Sequence, residues 1–175
     1  MRSFFSYLIS KDQQLCIKVS TYTGKKYLDR FMYLISRSGD GPLYIIASTV
    51  ILIIYKDRGY VFIAAGLIAF AIELIVQKVV KNFVKRQRPG ISVKGIRFLI
   101  KPPDQFSFPS GHTAGAFIMA TLSFYFAPFL AVPLFIWASL MGFSRVYNGV
   151  HFPTDVIFGA VLGVVSTIFA ASIVL

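Results

Sequence analysis

Apolar residues arrive in long blocks separated by short polar breaks. Pro42 to Tyr55 is the first strong run, somewhat short of the ~20 residues that a membrane span usually needs. Lys56-Asp57-Arg58-Gly59 reads as a tight connection, and Tyr60 to Val80 as a full-length span interrupted by Glu73 and Lys78. A loop from Pro89 to Phe108 follows, carrying Gly90, Gly95, Pro102 and Pro103. A third span starts at Pro109 and runs to Phe126, a fourth lies between Pro128 and Gly142, and a fifth runs from Asp155 to Leu175. Upstream, Tyr27, Phe31, Met32 and Ile35 recur at helical spacing, which predicts an amphipathic helix at the membrane interface from Lys25 to Ile35. Gly39-Asp40-Gly41-Pro42 breaks it. The expectation is an all-α polytopic membrane helical bundle forming one domain over residues 1–175. It has about five transmembrane helices, six if a span precedes Pro42, plus the N-terminal amphipathic helix.

Composition sharpens this. At 56% hydrophobic, with mean hydropathy +0.70, the chain is too apolar for an ordinary soluble protein. The net charge of +11 fits lysines and arginines touching anionic headgroups, and it also fits an anionic substrate. Nucleic acid is a poor third choice, because a chain embedded in the bilayer presents little soluble surface. Cys16 is the only cysteine, so no intrachain disulfide and no cysteine-based metal cluster can form. The N-terminus has no small-residue cleavage site and does not read as a removed signal peptide.

Counting crossings puts the loop after the second span, the start of the third and the junction between the fourth and fifth on one membrane face, with the N-terminus. Three spaced blocks lie there: Lys81 with Arg88-Pro89; Pro109-Ser110-Gly111-His112; and Ser144-Arg145 with His151 and Asp155. Both histidines of the chain are among them. Lys81, Lys85 and Arg88 share a face if the helix persists that far. The plainer alternative is interfacial anchoring, with Pro89 as a helix terminator. The second block opens a helix whose free N–H groups and positive dipole end suit an anion, with the Ser110 hydroxyl as an added donor. An ordinary capped helix start is the alternative there. Arg145 offers a planar, permanently charged fork for phosphate oxygens. Pro153 suits the first turn of the last helix, so the Asp155 carboxylate can reach back to the His151 ring and fix its tautomer. A carboxylate meeting the helix dipole is the bland reading of Asp155, and an idle interfacial histidine that of His151. The conjunction of three blocks on one face outweighs these alternatives. The first forty residues carry no usable motif.

The stretches KNFVKRQRP (Lys81 to Pro89), FPSGHTA (Phe108 to Ala114) and SRVYNGVHFPTD (Ser144 to Asp155) resemble the type-2 phosphatidic acid phosphatase family, with no departure at a motif position. The resemblance covers about half of the chain and implies the roles. His151 would be the nucleophile that forms a phosphohistidine, with Asp155 orienting it. His112 would protonate the leaving group and then take a proton from water. Lys81, Arg88, Ser110, Gly111 and Arg145 would hold the transferring phosphoryl group. No cofactor and no metal enter this scheme, and two histidines with few carboxylates make a poor metal cage.

The reading is therefore a lipid phosphatase acting on a phosphate monoester or diphosphate. The resemblance implies phosphatidic acid, phosphatidylglycerophosphate, undecaprenyl diphosphate or lipid A 1-phosphate, with a slight lean towards a polyanionic headgroup. A vanadate-dependent haloperoxidase uses a similar pocket, but the spans argue against it. A non-enzymatic phospholipid-binding protein would not need the His112, His151 and Asp155 set. The expected partners are the phosphorylated lipid and the bilayer. Glu73, ionisable and within a span, is a functional candidate by default, but pairing with a cation such as Lys78 is at least as good a reading. The loop with Lys94, Arg97 and Lys101 reads equally as a lid or a connector. Sixteen of the eighteen Lys and Arg, all but Lys56 and Arg58, fall on the catalytic face, which the positive-inside rule would call cytoplasmic. The family resemblance implies instead an extracytoplasmic site on the bacterial inner membrane.

Overall fold

The computed structural model describes residues 2–175. Helix α1 spans Arg2–Ser20 and α2 Lys26–Arg37, the second matching the amphipathic segment. The chain then bends by 56° into α3, Gly41–Tyr55, with Pro42 in its first turn. The connection to α4, Asp57–Val84, is tighter than the four residues expected: Lys56 alone turns the chain, at φ 42°, and Asp57 to Gly59 are already helical. Short α5, Pro89–Ser92, lies in the following loop, then α6 is Gly111–Phe126, α7 Ala131–Tyr147 and α8 Pro153–Val174. No strand occurs among the described residues.

Small residues let the central helices approach closely. Ala65 and Ala69 of α4, Ile118 and Leu122 of α6 and Ala170 of α8 are buried together around Phe62. A second cluster joins Ala116 and Ala120 of α6 to Ala138 and Met141 of α7. On α8, Gly159 and Gly163 lie against the backbone carbonyls of Ser110 and Ala114, where any Cβ would collide. This small-residue seam is how helices pack where lipid removes the ordinary hydrophobic drive. Outside it, Ile53, Leu67, Val132 and Ile157 are at least 60% exposed, an apolar girdle suited to acyl chains. The chain is an integral membrane protein. Three helical stretches, 57–92, 128–147 and 153–174, are long and apolar enough to cross a bilayer, and α2 with α3 passes as a bent pair. At 16 residues α6 falls short of the usual span length, although it lies at the bundle centre.

Candidate active site

Helix α4 ends at Val84, and Lys85 turns out of it in the left-handed region at φ 48°. The helix therefore does not carry Lys81, Lys85 and Arg88 on one face. Lys85 is exposed, and Arg88 reaches the site through an extended segment. Pro89 starts α5 instead of stopping a helix, its ring tolerated at a position whose N–H needs no acceptor. The loop beyond is tied down rather than free. Val93 and Ile96 are buried against Val146 and Phe152, and the Leu99 N–H donates to the Asn148 carbonyl at 3.2 Å. Gly149, at φ +74°, makes the turn that delivers His151, and a Cβ there would lie 2.5 Å from the Arg97 carbonyl oxygen.

His151 is 1% exposed, between the ends of α7 and α8. Its Nδ1 faces Asp155 Oδ2 at 3.7 Å, and its Nε2 faces Arg88 Nη1 at 3.3 Å. Asp155 closes the start of α8, where its Oδ2 accepts the Phe152 N–H at 2.8 Å. At 3.7 Å it makes no hydrogen bond to the His151 Nδ1, which has no partner among the described residues. Arg88 is fully buried and anchored by the Val150 carbonyl at 2.7 Å. Ser110 stands at the start of α6 without capping it; its hydroxyl meets that of Thr113 at 2.9 Å. His112 Nε2 lies 3.1 Å from Asp40 Oδ1. Arg145 donates from Nη1 to the Ser36 hydroxyl at 2.6 Å, and its buried Nε and Nη2 have no protein partner. Ser144 turns its hydroxyl back to the Met141 carbonyl and takes no part.

A cavity of about 360 Å³ holds Lys81, Gly111, His112 and His151 on its wall, and a second of about 260 Å³ joins His112 to Arg145. The three blocks thus meet around His112 and His151. Four residues were invisible to the motif reading. Asp104 bridges Lys81 Nζ and Arg88 Nη2, each at 2.5 Å. Asp40 faces His112. Arg86, read only as filler between Lys81 and Arg88, holds Asp155 Oδ1 and Asp12 Oδ2 at 2.6 Å each. Asp12, from the segment without a motif, also accepts the Thr154 N–H at 3.1 Å. The sequence does hold a faint signal for one of them, Asp40, in its Gly-Asp-Gly break. Nothing local shows what it meets.

Burial holds the His151 imidazole far below its ordinary range, at about 3, with Arg145 and Arg88 adding to the effect and Asp155 opposing it. Burial of Asp104 would raise its carboxyl, but Lys81 and Arg88 outweigh that and hold it below the ordinary range. A base that stays neutral when folded binds fewer protons than the unfolded chain. Its stabilising effect is therefore complete above the ordinary value of 6.5 and is lost as pH falls towards about 3. Because the chain has only two histidines, imidazole NMR checks this directly. One ring remains neutral at pH 5, and its signal is missing from His151→Gln.

Residues 60–175 match the PAP2 superfamily. The chain is 31% identical over 172 residues to the undecaprenyl-diphosphatase of Sulfolobus acidocaldarius, covering 92% of this chain and 80% of that one. It is 34% identical over 114 residues to the bacitracin transport permease protein BcrC of Bacillus licheniformis, covering 65% of this chain and 55% of that protein, so it spans only about half of this relative. The crystal structure of Aquifex aeolicus LpxE superposes with a TM-score of 0.79 at 29% identity, covering 91% of this chain and 93% of that one. With a family match over more than half of the chain, including all three motif blocks, the chain belongs to the PAP2 superfamily.

Proposed function

We propose that the protein hydrolyses a phosphate monoester or diphosphate on a membrane lipid through a phosphohistidine at His151, releasing inorganic phosphate. The observation that carries this is one buried imidazole with a carboxylate at Nδ1 and a cation at Nε2, beside a second histidine in the same cavity. With its Nδ1 proton turned to Asp155, the Nε2 lone pair attacks phosphorus and the bond to the leaving oxygen breaks. His112, held by Asp40, gives that oxygen a proton. Water then attacks the phosphorus–nitrogen bond while His112 takes its proton, and His151 leaves. Lys81, Arg88, Arg145, the Ser110 hydroxyl and the N–H of Gly111 hold the phosphoryl oxygens as their charge grows.

In this reading Asp104 occupies two phosphate-binding cations and must yield when substrate enters. Asp104→Asn removes a like charge from the site, so inhibition by inorganic phosphate or vanadate tightens roughly three- to tenfold. Weaker inhibition would show that Asp104 orients the cations instead.

The relatives favour a lipid substrate: undecaprenyl diphosphate, phosphatidylglycerophosphate, phosphatidic acid and lipid A 1-phosphate are the candidates. The test is phosphate release by detergent-purified protein from each of these, with chelator present. Release from at least one supports the reading, and release from none with folded protein removes it. We place the site on the extracytoplasmic face of the bacterial inner membrane. Four cations of that face, Lys81, Arg86, Arg88 and Arg145, are engaged within the site, which weakens the positive-inside count. A membrane-impermeant maleimide labels Lys101→Cys in intact cells if this is right, and labels it only after lysis if the face is cytoplasmic.

A further inference from the structure

Three polar side chains of the larger cavity have no part in this chemistry. Glu73 and Gln77 precede Lys81 on α4 at four-residue steps, which puts all three on one helix face, and Tyr44 of α3 lines the same cavity. Glu73 is 2% exposed and its Oε1 has no hydrogen-bond partner in the protein; the buried Oη of Tyr44 has none either. Among the described residues Glu73 forms no ion pair, so the pairing with Lys78 expected from sequence does not account for it. Two buried, unsatisfied polar groups on residues that line one cavity are costly to keep unless something that enters the cavity satisfies them.

Position and charge say what that is. Eight residues separate Glu73 from Lys81, about 12 Å along the axis, and the long Lys81 side chain leans back towards the helix N-terminus and shortens the gap. A phosphoryl group between Lys81 and His151 therefore has its leaving alcohol next to Glu73, Gln77 and Tyr44. The cavity wall carries three carboxylates, Asp40, Glu73 and Asp104, against Lys81 as its one Lys or Arg. A second phosphate there would find no Lys or Arg beyond Lys81 to hold it, whereas a hydroxyl donates to a carboxyl oxygen and accepts from a phenol.

We infer that Glu73, with Tyr44 and Gln77, forms a subsite for a free hydroxyl on the leaving alcohol. The favoured substrate is then a lipid phosphate monoester of a glycerol or sugar, and not a lipid diphosphate. This inference rests on the phosphatase reading above and assigns the substrate class of the same site.

The experiment compares kcat/KM of the purified full chain for lysophosphatidic acid and for the matched acyl propanediol phosphate, which lacks only the hydroxyl, with undecaprenyl diphosphate as a third substrate. The native protein prefers the hydroxylated lipid about tenfold, the size of one hydrogen bond made in a dry site. Glu73→Ala and Tyr44→Phe each bring the ratio towards one; a merely structural role would lower both rates together and leave it unchanged. Equal native rates on the matched pair, or a ratio kept in both variants, overturns the subsite. Undecaprenyl diphosphate turned over faster than lysophosphatidic acid overturns the preference for monoesters. Phosphate release from none of these three but from another of the candidate lipids overturns the subsite alone. Release from none of all of them removes the phosphatase reading itself, and the subsite with it.

Discussion

His151→Ala loses phosphate release from every lipid substrate by about a thousandfold or more, because the step in which nitrogen displaces the leaving group has no other nucleophile to use. Arg88, Lys81 and Arg145 remain in the variant, so lipid binding persists while kcat collapses. That split separates the loss of a nucleophile from the loss of a pocket. His112→Ala loses about a hundred- to ten-thousandfold for a different reason, the missing proton donor. Its loss is smallest for substrates whose leaving group needs no proton, such as a nitrophenyl phosphate, whereas that of His151→Ala is the same for all. Activity of His151→Ala within tenfold of native, in folded protein, would take the nucleophile's role away from this residue.

Arg86→Ala has the largest effect on stability of any single change in the site. Its guanidinium is the shared partner of Asp155, whose side chain is 0% exposed, and Asp12, at 4%. Removing it leaves two buried carboxylates uncompensated, which costs about 3 kcal/mol or more. The guanidinium also lies over the Phe152 ring, 4.0 Å from its centroid, and that contact is lost too. Asp12→Asn costs less, because Arg86 keeps Asp155. Thermal unfolding in detergent ranks the three proteins as native, Asp12→Asn, then Arg86→Ala. Equal melting temperatures would mean that α1 and the start of α8 are held together by something other than this network.

The fold was legible because its code is coarse. Long apolar runs broken at Gly39 to Pro42, Pro89 and Pro128 mark helix boundaries within a few residues, and a span needs no finer pattern. Where local chemistry was ambiguous the reading slipped. A basic helix end looks the same whether it continues or turns, so the left-handed Lys85 and the helix start at Pro89 were hidden. The motif residues were legible because their chemistry is unusual at their spacing, both histidines above all. Their partners were not. Asp12 lies 74 residues from Arg86 in the chain, and Asp40 lies 72 from His112; no periodicity links such pairs, and only packing brings them together. Glu73 was flagged by its place in a span, but that it has no partner is a property of the fold alone.

The central claim is phosphoryl transfer to His151, and trapping the intermediate tests it most directly. Purified protein is mixed with a turned-over lipid carrying labelled phosphate, quenched at alkaline pH within milliseconds and mapped by peptide. A phosphoramidate stable to alkali and labile to acid on the peptide containing His151, absent from His151→Ala, is the predicted result. Full turnover with no label on the protein at any quench time, and inversion of configuration at a chiral phosphorus where two displacements would give retention, would contradict it.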